Sequence, residues 1–232
     1  MLRTRLISAA VLIPVVALGA YLGGAPWFAL GLVASGVATF EFLRLVRRDA
    51  TSPQGPASPS IILGLLLSAL FFADGQWPEV GISSWGLVLG VLAPLLAQVL
   101  RGNTPGGLNG WALTLAGAAY VGFTMGHFVR LRQLEWGREW VVVVLAGTWM
   151  ADTGAYLAGR AWGRRPFFPQ ISPKKTLEGA FGGLVVGPLS VAGTCLLLRV
   201  PIALWQALLL GLVITVAAMA GDLSESAIKR QL

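Results

Sequence analysis

The sequence predicts an all-α, polytopic integral membrane helical bundle, and two observations support this fold class. Of the 232 residues, 56% are hydrophobic and only 12% are charged, with a mean hydropathy of +0.74. Soluble domains are about one-quarter charged, so the composition excludes an ordinary soluble protein. Apolar runs also recur along the chain, each near the roughly 20 residues that a helix needs to cross a bilayer. We therefore predict a single membrane domain over 1–232.

Hydropathy divides this domain into about eight transmembrane helices. The first follows Arg3 and Arg5 and lacks a cleavage site of small residues, so we expect a retained helix and not a signal peptide. The third is short and could extend back into a Pro-rich linker. The predicted spans are 5–24, 26–46, 60–73, 81–100, 108–128, 139–160, 177–198 and 202–221. They group into an N-terminal helix pair (1–52), the linker (53–59), middle helices (60–138) and C-terminal helices expected to carry the chemistry (139–232).

The distribution of positive charge predicts the orientation. With a cytoplasmic N-terminus, thirteen Lys and Arg side chains fall on the cytoplasmic side and four on the other. The positive-inside rule then favours a cytoplasmic N-terminus, here in the cell inner membrane. The net charge of +7 fits a chain among anionic headgroups. Because no basic patch is interleaved with stacking aromatics, we expect no nucleic-acid partner.

An aspartate lies within the sixth predicted span. A charged carboxylate near the membrane centre costs about 2.5–3.5 kcal/mol, so such residues usually face a bundle interior or a watery cavity. Asp152 shares one helical face with Thr148, Tyr156 and Arg160, which recur at four-residue spacing. One interpretation is that Asp152 neutralises an arginine on a neighbouring helix, and another is that it contributes to a functional site.

A second acidic cluster, “AGDLSESAIKRQL”, follows the eighth span at its cytoplasmic end. Asp222, Glu225, Ser226 and Lys229 recur at three- and four-residue intervals, which places them on one helical face. The alternative is structural: Glu225 and Lys229 would form an ordinary i,i+4 pair. Lys229 and Arg230 would then only anchor the topology.

Two lysines precede the seventh span in “ISPKKTLEGAFGG”. Thr176 is a candidate N-cap, and Glu178 in the first turn suits the positive end of the helix dipole. A helix N-terminus flanked by Lys174 and Lys175 would bind phosphate well, although a lysine pair can also merely anchor a helix at the interface. A four-residue repeat of glycines further along predicts close helix packing: Gly179, Gly183 and Gly187.

These three segments place carboxylates and lysines around one cytoplasmic locus. Carboxylates with waters and phosphate oxygens are the ligands that Mg²⁺ prefers, and lysines neutralise phosphate charge. The combination predicts a metal–phosphate site for phosphoryl transfer. The alternatives are an ion-coupled membrane transporter that uses Asp152, for which we find no internal repeat, and a structural membrane partner.

The stretches “DTGAYLAGRAWGRRPFFPQISPKKTLEGAFGG” and “GDLSESAIKR” resemble the phosphatidate cytidylyltransferases, also called CDP-diacylglycerol synthases. “FEFLRL”, around Glu41, is similar to the second span of that family, and the resemblance is specific over roughly 148–230. It implies that CTP and phosphatidic acid are converted to CDP-diacylglycerol and pyrophosphate in phospholipid biosynthesis, with Mg²⁺ required. It also implies a homodimer in the lipid bilayer.

The resemblance further implies roles for individual residues. The catalytic residues would be Asp152, Lys174, Lys175 and Asp222. The metal-linked carboxylates would be Asp152, Asp222 and Glu225. The substrate-binding residues would be Ser172, Lys174, Lys175, Ser226, Lys229 and Arg230.

The family signature continues past the position of Arg230 with a Lys-Asp pair, a His-Gly-Gly stretch and an Asp-Arg-x-Asp motif. The sequence here has Leu232 as its last residue. We therefore expect the C-terminal helices to be catalytically incomplete and the 232-residue chain to be inactive by itself.

Overall fold

The structure, a computed structural model, describes residues 2–49, 59–100 and 107–231. The predicted all-α polytopic membrane class is confirmed, because helices make up most of the described chain. The elements are α1 (Leu2–Leu22), α2 (Gly24–Asp49), α3 (Ile61–Asp74), α4 (Ile82–Leu100), α5 (Gly107–Ala118), α6 (Thr124–Gln133), α7 (Gly137–Trp162), β1 (Pro166–Phe168), β2 (Ser172–Thr176), α8 (Leu177–Leu197) and α9 (Leu204–Gln231). The predicted linker at 53–59 lies outside the described residues except for Pro59.

The described residues include five helical stretches long and apolar enough to cross a membrane: Gly24–Arg47, Gly107–Gln133, Gly137–Trp162, Leu177–Leu197 and Leu204–Arg230. Shorter apolar helices occur at Ala10–Leu22, Ile61–Asp74 and Ile82–Leu96. The count of eight spans and the side of the N-terminus stay predictions. Helix α3 does not extend back into the linker, because Ser60 caps its start by accepting a hydrogen bond from the Leu63 N–H at 3.3 Å.

The chain divides into two compact units, an N-terminal unit (Met1–Leu134) and a C-terminal unit (Glu135–Leu232). In the N-terminal unit, α2 and α3 meet at three buried hydroxyls: Ser68 hydrogen-bonds to Ser35 at 3.1 Å and to Thr39 at 2.8 Å. Helices α5 and α6 are joined without a break by a π-helical turn over Ala119–Phe123. They therefore form one long helix where the sequence predicts a span over 108–128.

The C-terminal unit consists of α7, a β-hairpin, α8 and α9. Helices α7 and α8 lie against each other along small residues: a Cβ added at Gly179 would lie only 2.9 Å from the carbonyl oxygen of Ala155. The repeated glycines of α8 are all buried, which confirms their predicted packing role: Gly179, Gly183 and Gly187. Val143, Val191 and Cys195 form part of the buried core.

The β-hairpin is the one element of the C-terminal unit that the sequence does not predict. Strands β1 and β2 pair antiparallel, with Pro166 opposite Thr176 and Phe168 opposite Ser172. The segment has no apolar alternation that would indicate strands. Its base is instead closed by a backbone hydrogen bond from the Leu177 N–H to the Arg165 carbonyl at 2.9 Å. The prolines are tolerated because both strands of a two-stranded sheet are edge strands.

Candidate active site

A cavity of about 420 Å³ lies in the C-terminal unit between the second half of α7, the hairpin, the start of α8 and the second half of α9. The four residues predicted to be catalytic all line it: Asp152 on α7, Lys174 and Lys175 on β2, and Asp222 on α9. Segments separated by up to 70 positions in sequence therefore converge, as the metal–phosphate interpretation requires.

Lys175 and Asp222 are joined directly across the cavity. The Lys175 Nζ lies 2.5 Å from the Asp222 Oδ2, and the two side chains are 27% and 56% exposed. This ion pair links β2 to α9. Both partners remain accessible from the cavity, so a ligand can exchange with either one.

Asp152 lies near this ion pair without joining it. Its carboxylate interacts electrostatically with both Asp222 and Lys175. Within the described residues it has neither an ion-pair partner nor a hydrogen-bond partner, and the Arg160 guanidinium about two turns further along α7 donates to the Tyr156 hydroxyl at 3.2 Å instead. The interpretation that Asp152 neutralises a neighbouring arginine finds no support in these ranges. Asp152 is an accessible carboxylate facing a shared cavity.

The start of α8 holds the two lysines in place. Thr176 caps the helix as predicted, its hydroxyl accepting from the Gly179 N–H at 3.1 Å. The Glu178 carboxylate accepts hydrogen bonds from the N–H groups of Arg164 and Arg165, at 3.1 and 3.2 Å. Glu178 therefore fastens the connection between α7 and β1 to the first turn of α8. These hydrogen bonds hold together the start of β1 and the end of β2, at the base of the hairpin that carries the lysines.

The other predicted site residues do not line this cavity: Ser172, Glu225, Ser226, Lys229 and Arg230. Glu225 and Lys229 form the i,i+4 ion pair that the structural alternative predicts. The Arg230 Nε donates a hydrogen bond to the Ile171 carbonyl in the hairpin turn. The end of α9 is therefore attached to the hairpin, and Arg230 holds the wall of the cavity.

The cavity is also lined by side chains that the sequence does not single out as site residues, among them Tyr156, Arg160 and Phe167. The first two could be found from their spacing, since they share a helical face with Asp152. Phe167 carries no such signal, because its position depends on a hairpin that the sequence does not predict.

The carboxylates of the cavity are compatible with a magnesium ion that takes most of its ligands from water and from substrate phosphates. No group of three or more His, Cys, Asp and Glu side chains is arranged to hold a metal among the residues described. Mg²⁺ usually keeps several waters and is bound through one or two carboxylates plus substrate phosphates. Asp152 and Asp222 face the same cavity and can supply these one or two carboxylates.

Comparison with known proteins agrees with the motifs of the site. A model of the cytidylyltransferase family matches residues 3–232. A Bacillus subtilis protein named phosphatidate cytidylyltransferase is 34% identical over 213 residues, covering 90% of this chain and 77% of the relative. A Brucella suis protein of the same name is 33% identical over 236 residues, covering 99% and 80%.

The matched length differs among the relatives. A Staphylococcus epidermidis protein, also named phosphatidate cytidylyltransferase, is 32% identical over 174 residues, which cover 74% of this chain and 65% of the relative. The match to the family model extends over nearly the whole sequence and includes every residue that lines the cavity. The chain therefore belongs to the cytidylyltransferase family.

Proposed function

We propose that this protein is a phosphatidate cytidylyltransferase: it transfers the cytidylyl group of CTP to phosphatidic acid, giving CDP-diacylglycerol and pyrophosphate. The observation that carries the proposal is the convergence of Asp152, Lys174, Lys175 and Asp222 on one cavity. With Arg160, three cations and two carboxylates line it. This charge pattern suits a triphosphate that arrives with a divalent ion.

The reaction is a phosphoryl-centre substitution. A phosphate oxygen of phosphatidic acid forms a bond to the α-phosphorus of CTP. The bond from that phosphorus to the oxygen bridging the α- and β-phosphates breaks, and pyrophosphate leaves with the electron pair. Both reactants are anions, so catalysis of this kind depends on positioning and on offsetting negative charge.

The four side chains predicted to be catalytic each have a part in this scheme. Lys174 and Lys175 bind phosphate oxygens and neutralise charge on the triphosphate and on the leaving pyrophosphate. Asp152 and Asp222 would hold Mg²⁺, which when bound offsets charge on the reacting phosphates. When the triphosphate binds Lys175, Asp222 is released from its ion pair and becomes available to the cation.

We propose that two predicted site residues outside the cavity contribute by holding the hairpin and α9 in position around it. Arg230 and Ser172 are positioning residues, because one attaches α9 to the hairpin turn and the other pairs with Phe168 in the hairpin. Ser226, Lys229 and Glu225 stay predicted substrate and metal contacts. We further propose that the cavity faces the cytoplasm at the inner membrane, where CTP is dissolved, and that the protein works as a homodimer.

The decisive experiment uses the gene product that contains these residues, purified and reconstituted in lipid vesicles. Asp152→Asn removes a carboxylate of the cavity, and we expect formation of CDP-diacylglycerol from labelled CTP and phosphatidic acid to fall by roughly a hundredfold or more. The matched control is Glu135→Gln, which removes the same charge at the exposed start of the C-terminal unit. We expect that control to keep its rate within about twofold.

Other outcomes separate the alternatives. Intact turnover in Asp152→Asn together with altered ion-coupled uptake would favour a transporter. Failure of the wild-type protein to bind CTP with Mg²⁺ would favour a structural membrane partner.

A further inference from the structure

Two aromatic rings, from different elements, line the cavity beside its charged groups. Tyr156 lies on α7 and Phe167 on β1. Neither ring can neutralise phosphate charge or bind a metal through its face. The scheme for the reacting phosphates therefore leaves this part of the cavity unused.

Phe167 occupies the middle of β1, where the pairing with β2 is irregular. Within β1 it is half-buried, whereas Pro166 and Phe168 on either side are exposed. Of these three residues, Phe167 alone lines the cavity. The ring of Phe168 packs against it edge-on, with centroids 4.5 Å apart and an interplanar angle of 66°. The hairpin is also anchored at both ends by the Glu178 hydrogen bonds and the Arg230 contact, so the ring is held in place.

Tyr156 is oriented by its neighbour on the same helix. Its hydroxyl accepts a hydrogen bond from the Arg160 guanidinium at 3.2 Å, and 62% of the residue is exposed. Tyr156 follows Asp152 by four residues, which places it about 6 Å further along the helix axis on the same face. This offset is comparable to the ribose-length separation between the phosphates of a nucleotide and its base.

The cavity therefore brings charged groups and aromatic rings together, with Tyr156 one helical turn beyond Asp152. Aromatic rings bind nucleobases by stacking, and they do so with little dependence on which base is present because every base has a π-face. A cation beside such a ring adds to the attraction. Arg160 supplies that cation.

We propose that Tyr156 and Phe167 form the nucleobase subsite of the cavity, stacking the base of the nucleoside triphosphate whose phosphates bind at Lys174, Lys175, Asp152 and Asp222. The inference rests on the proposed function and adds the side chains that recognise the nucleoside half of the substrate. These rings provide affinity for a base; they do not distinguish cytosine from other bases.

The test compares two ligands that share a triphosphate and differ in the base. The affinities of CTP and of inorganic tripolyphosphate, each with Mg²⁺, are measured by calorimetry on the detergent-purified protein. Phe167→Leu and Tyr156→Leu are expected to weaken CTP binding roughly five- to hundredfold and to leave tripolyphosphate binding within about twofold. Tyr156→Phe keeps the ring and should retain most of the CTP affinity.

The matched control is Phe181→Leu, because Phe181 is an exposed ring on α8 that does not line the cavity. It should leave both affinities unchanged. Equal weakening of CTP and tripolyphosphate by the cavity variants would overturn the subsite, since it would mean that the rings only maintain cavity shape. Unchanged CTP affinity in both leucine variants would overturn it as well.

The affinities of the wild-type protein for CTP and for tripolyphosphate test the nucleobase subsite separately from the proposed function. Wild-type protein that binds tripolyphosphate as tightly as CTP would overturn the nucleobase subsite and leave the triphosphate site standing. Wild-type protein that binds neither ligand would overturn both.

Discussion

At the scale of single residues, Lys175 connects the stability of the cavity to its binding chemistry. Its ion pair with Asp222 is partly exposed, at 27% and 56% of the two side chains. Pairs of this kind contribute only about 0.2–1 kcal/mol to folding. The pair is therefore better suited to arranging the cavity than to stabilising the fold.

Lys175→Met is accordingly expected to affect ligand binding far more than folding. Hydrogen bonds to charged groups contribute about 1.5–3 kcal/mol, so we expect CTP with Mg²⁺ to bind about ten- to hundredfold more weakly. Calorimetry gives the affinity, and thermal unfolding of the same preparation should change by no more than a few degrees. A large loss of thermal stability with unchanged CTP affinity would assign Lys175 a purely structural role.

The matched control for this variant is Arg199→Met. Arg199 is an exposed cation that follows the opposite end of α8 and does not line the cavity. The substitution removes the same charge, so its CTP affinity should equal that of the unchanged protein. An equal loss in both variants would show that net charge, and not the position of Lys175, determines binding.

The residues of the charged cavity were predictable because each lies on an element with a clear sequence signal. Asp152 interrupts an apolar run, Asp222 ends another, and the lysines precede a capped helix. Phe167 was not predictable, because its place in the cavity depends on hydrogen bonds made by Glu178 and Arg230 from other elements. Such tertiary contacts leave no periodic pattern in the segment that they hold.

At the scale of elements, the helices have a local sequence signal, whereas the hairpin depends on tertiary contacts. The apolar run at 139–160 and the Thr176 cap predict α7 and α8 to within two residues at each end. The hairpin between them has three prolines and no apolar alternation, so its local sequence favours a loop. It forms two strands because the Glu178 carboxylate and the Arg165 carbonyl fix its base.

Glu178→Ala is expected to loosen the hairpin while leaving α8 folded. The N–H groups of Arg164 and Arg165 lose their acceptor, so their amides should exchange with solvent several-fold faster. Hydrogen–deuterium exchange resolved to the peptide covering 164–168 measures this directly. Glu135→Ala, which removes an exposed carboxylate outside the hairpin, should leave that peptide unchanged. Unaltered exchange in Glu178→Ala would show that the carboxylate does not hold the hairpin.

The packing of α7 against α8 gives a separate prediction about stability. A Cβ at Gly154 would lie 2.6 Å from the Val186 Cβ and 3.0 Å from the Gly182 carbonyl oxygen. Both are rigid groups, so Gly154→Val should destabilise the protein by about 1–3 kcal/mol through overpacking. Thermal unfolding in detergent measures the effect.

Gly193→Val is the matched control for the packing prediction. No described atom outside its own helix backbone lies within 4 Å of the Cβ that this substitution would add. We expect its unfolding temperature to stay close to that of the unchanged protein. Equal destabilisation by the two valines would attribute the loss to glycine replacement in a helix and not to the close approach of α7 and α8.

At the scale of the whole molecule, the predicted orientation can be tested with the two ends of α7. Single cysteines at Glu135→Cys and Arg165→Cys flank this candidate span. The positive-inside rule predicts that a membrane-impermeant maleimide labels the first in intact spheroplasts and the second only after lysis. The native Cys195 is buried and should stay unlabelled, which provides an internal control. The reverse labelling pattern would contradict a cytoplasmic cavity.

The resident partnership of Lys175 with Asp222 also has a consequence for which anions the protein accepts. An anion that binds Lys175 without a cation displaces Asp222 from its ion pair. The Asp222 carboxylate is then left without a positively charged partner. A polyphosphate that carries its own cation makes a double exchange, in which the anion goes to the lysine and the cation to the aspartate. We therefore expect the built-in counter-ion to favour a metal-chelated polyphosphate over bare phosphate or chloride, by no more than the roughly 0.2–1 kcal/mol of an exposed ion pair.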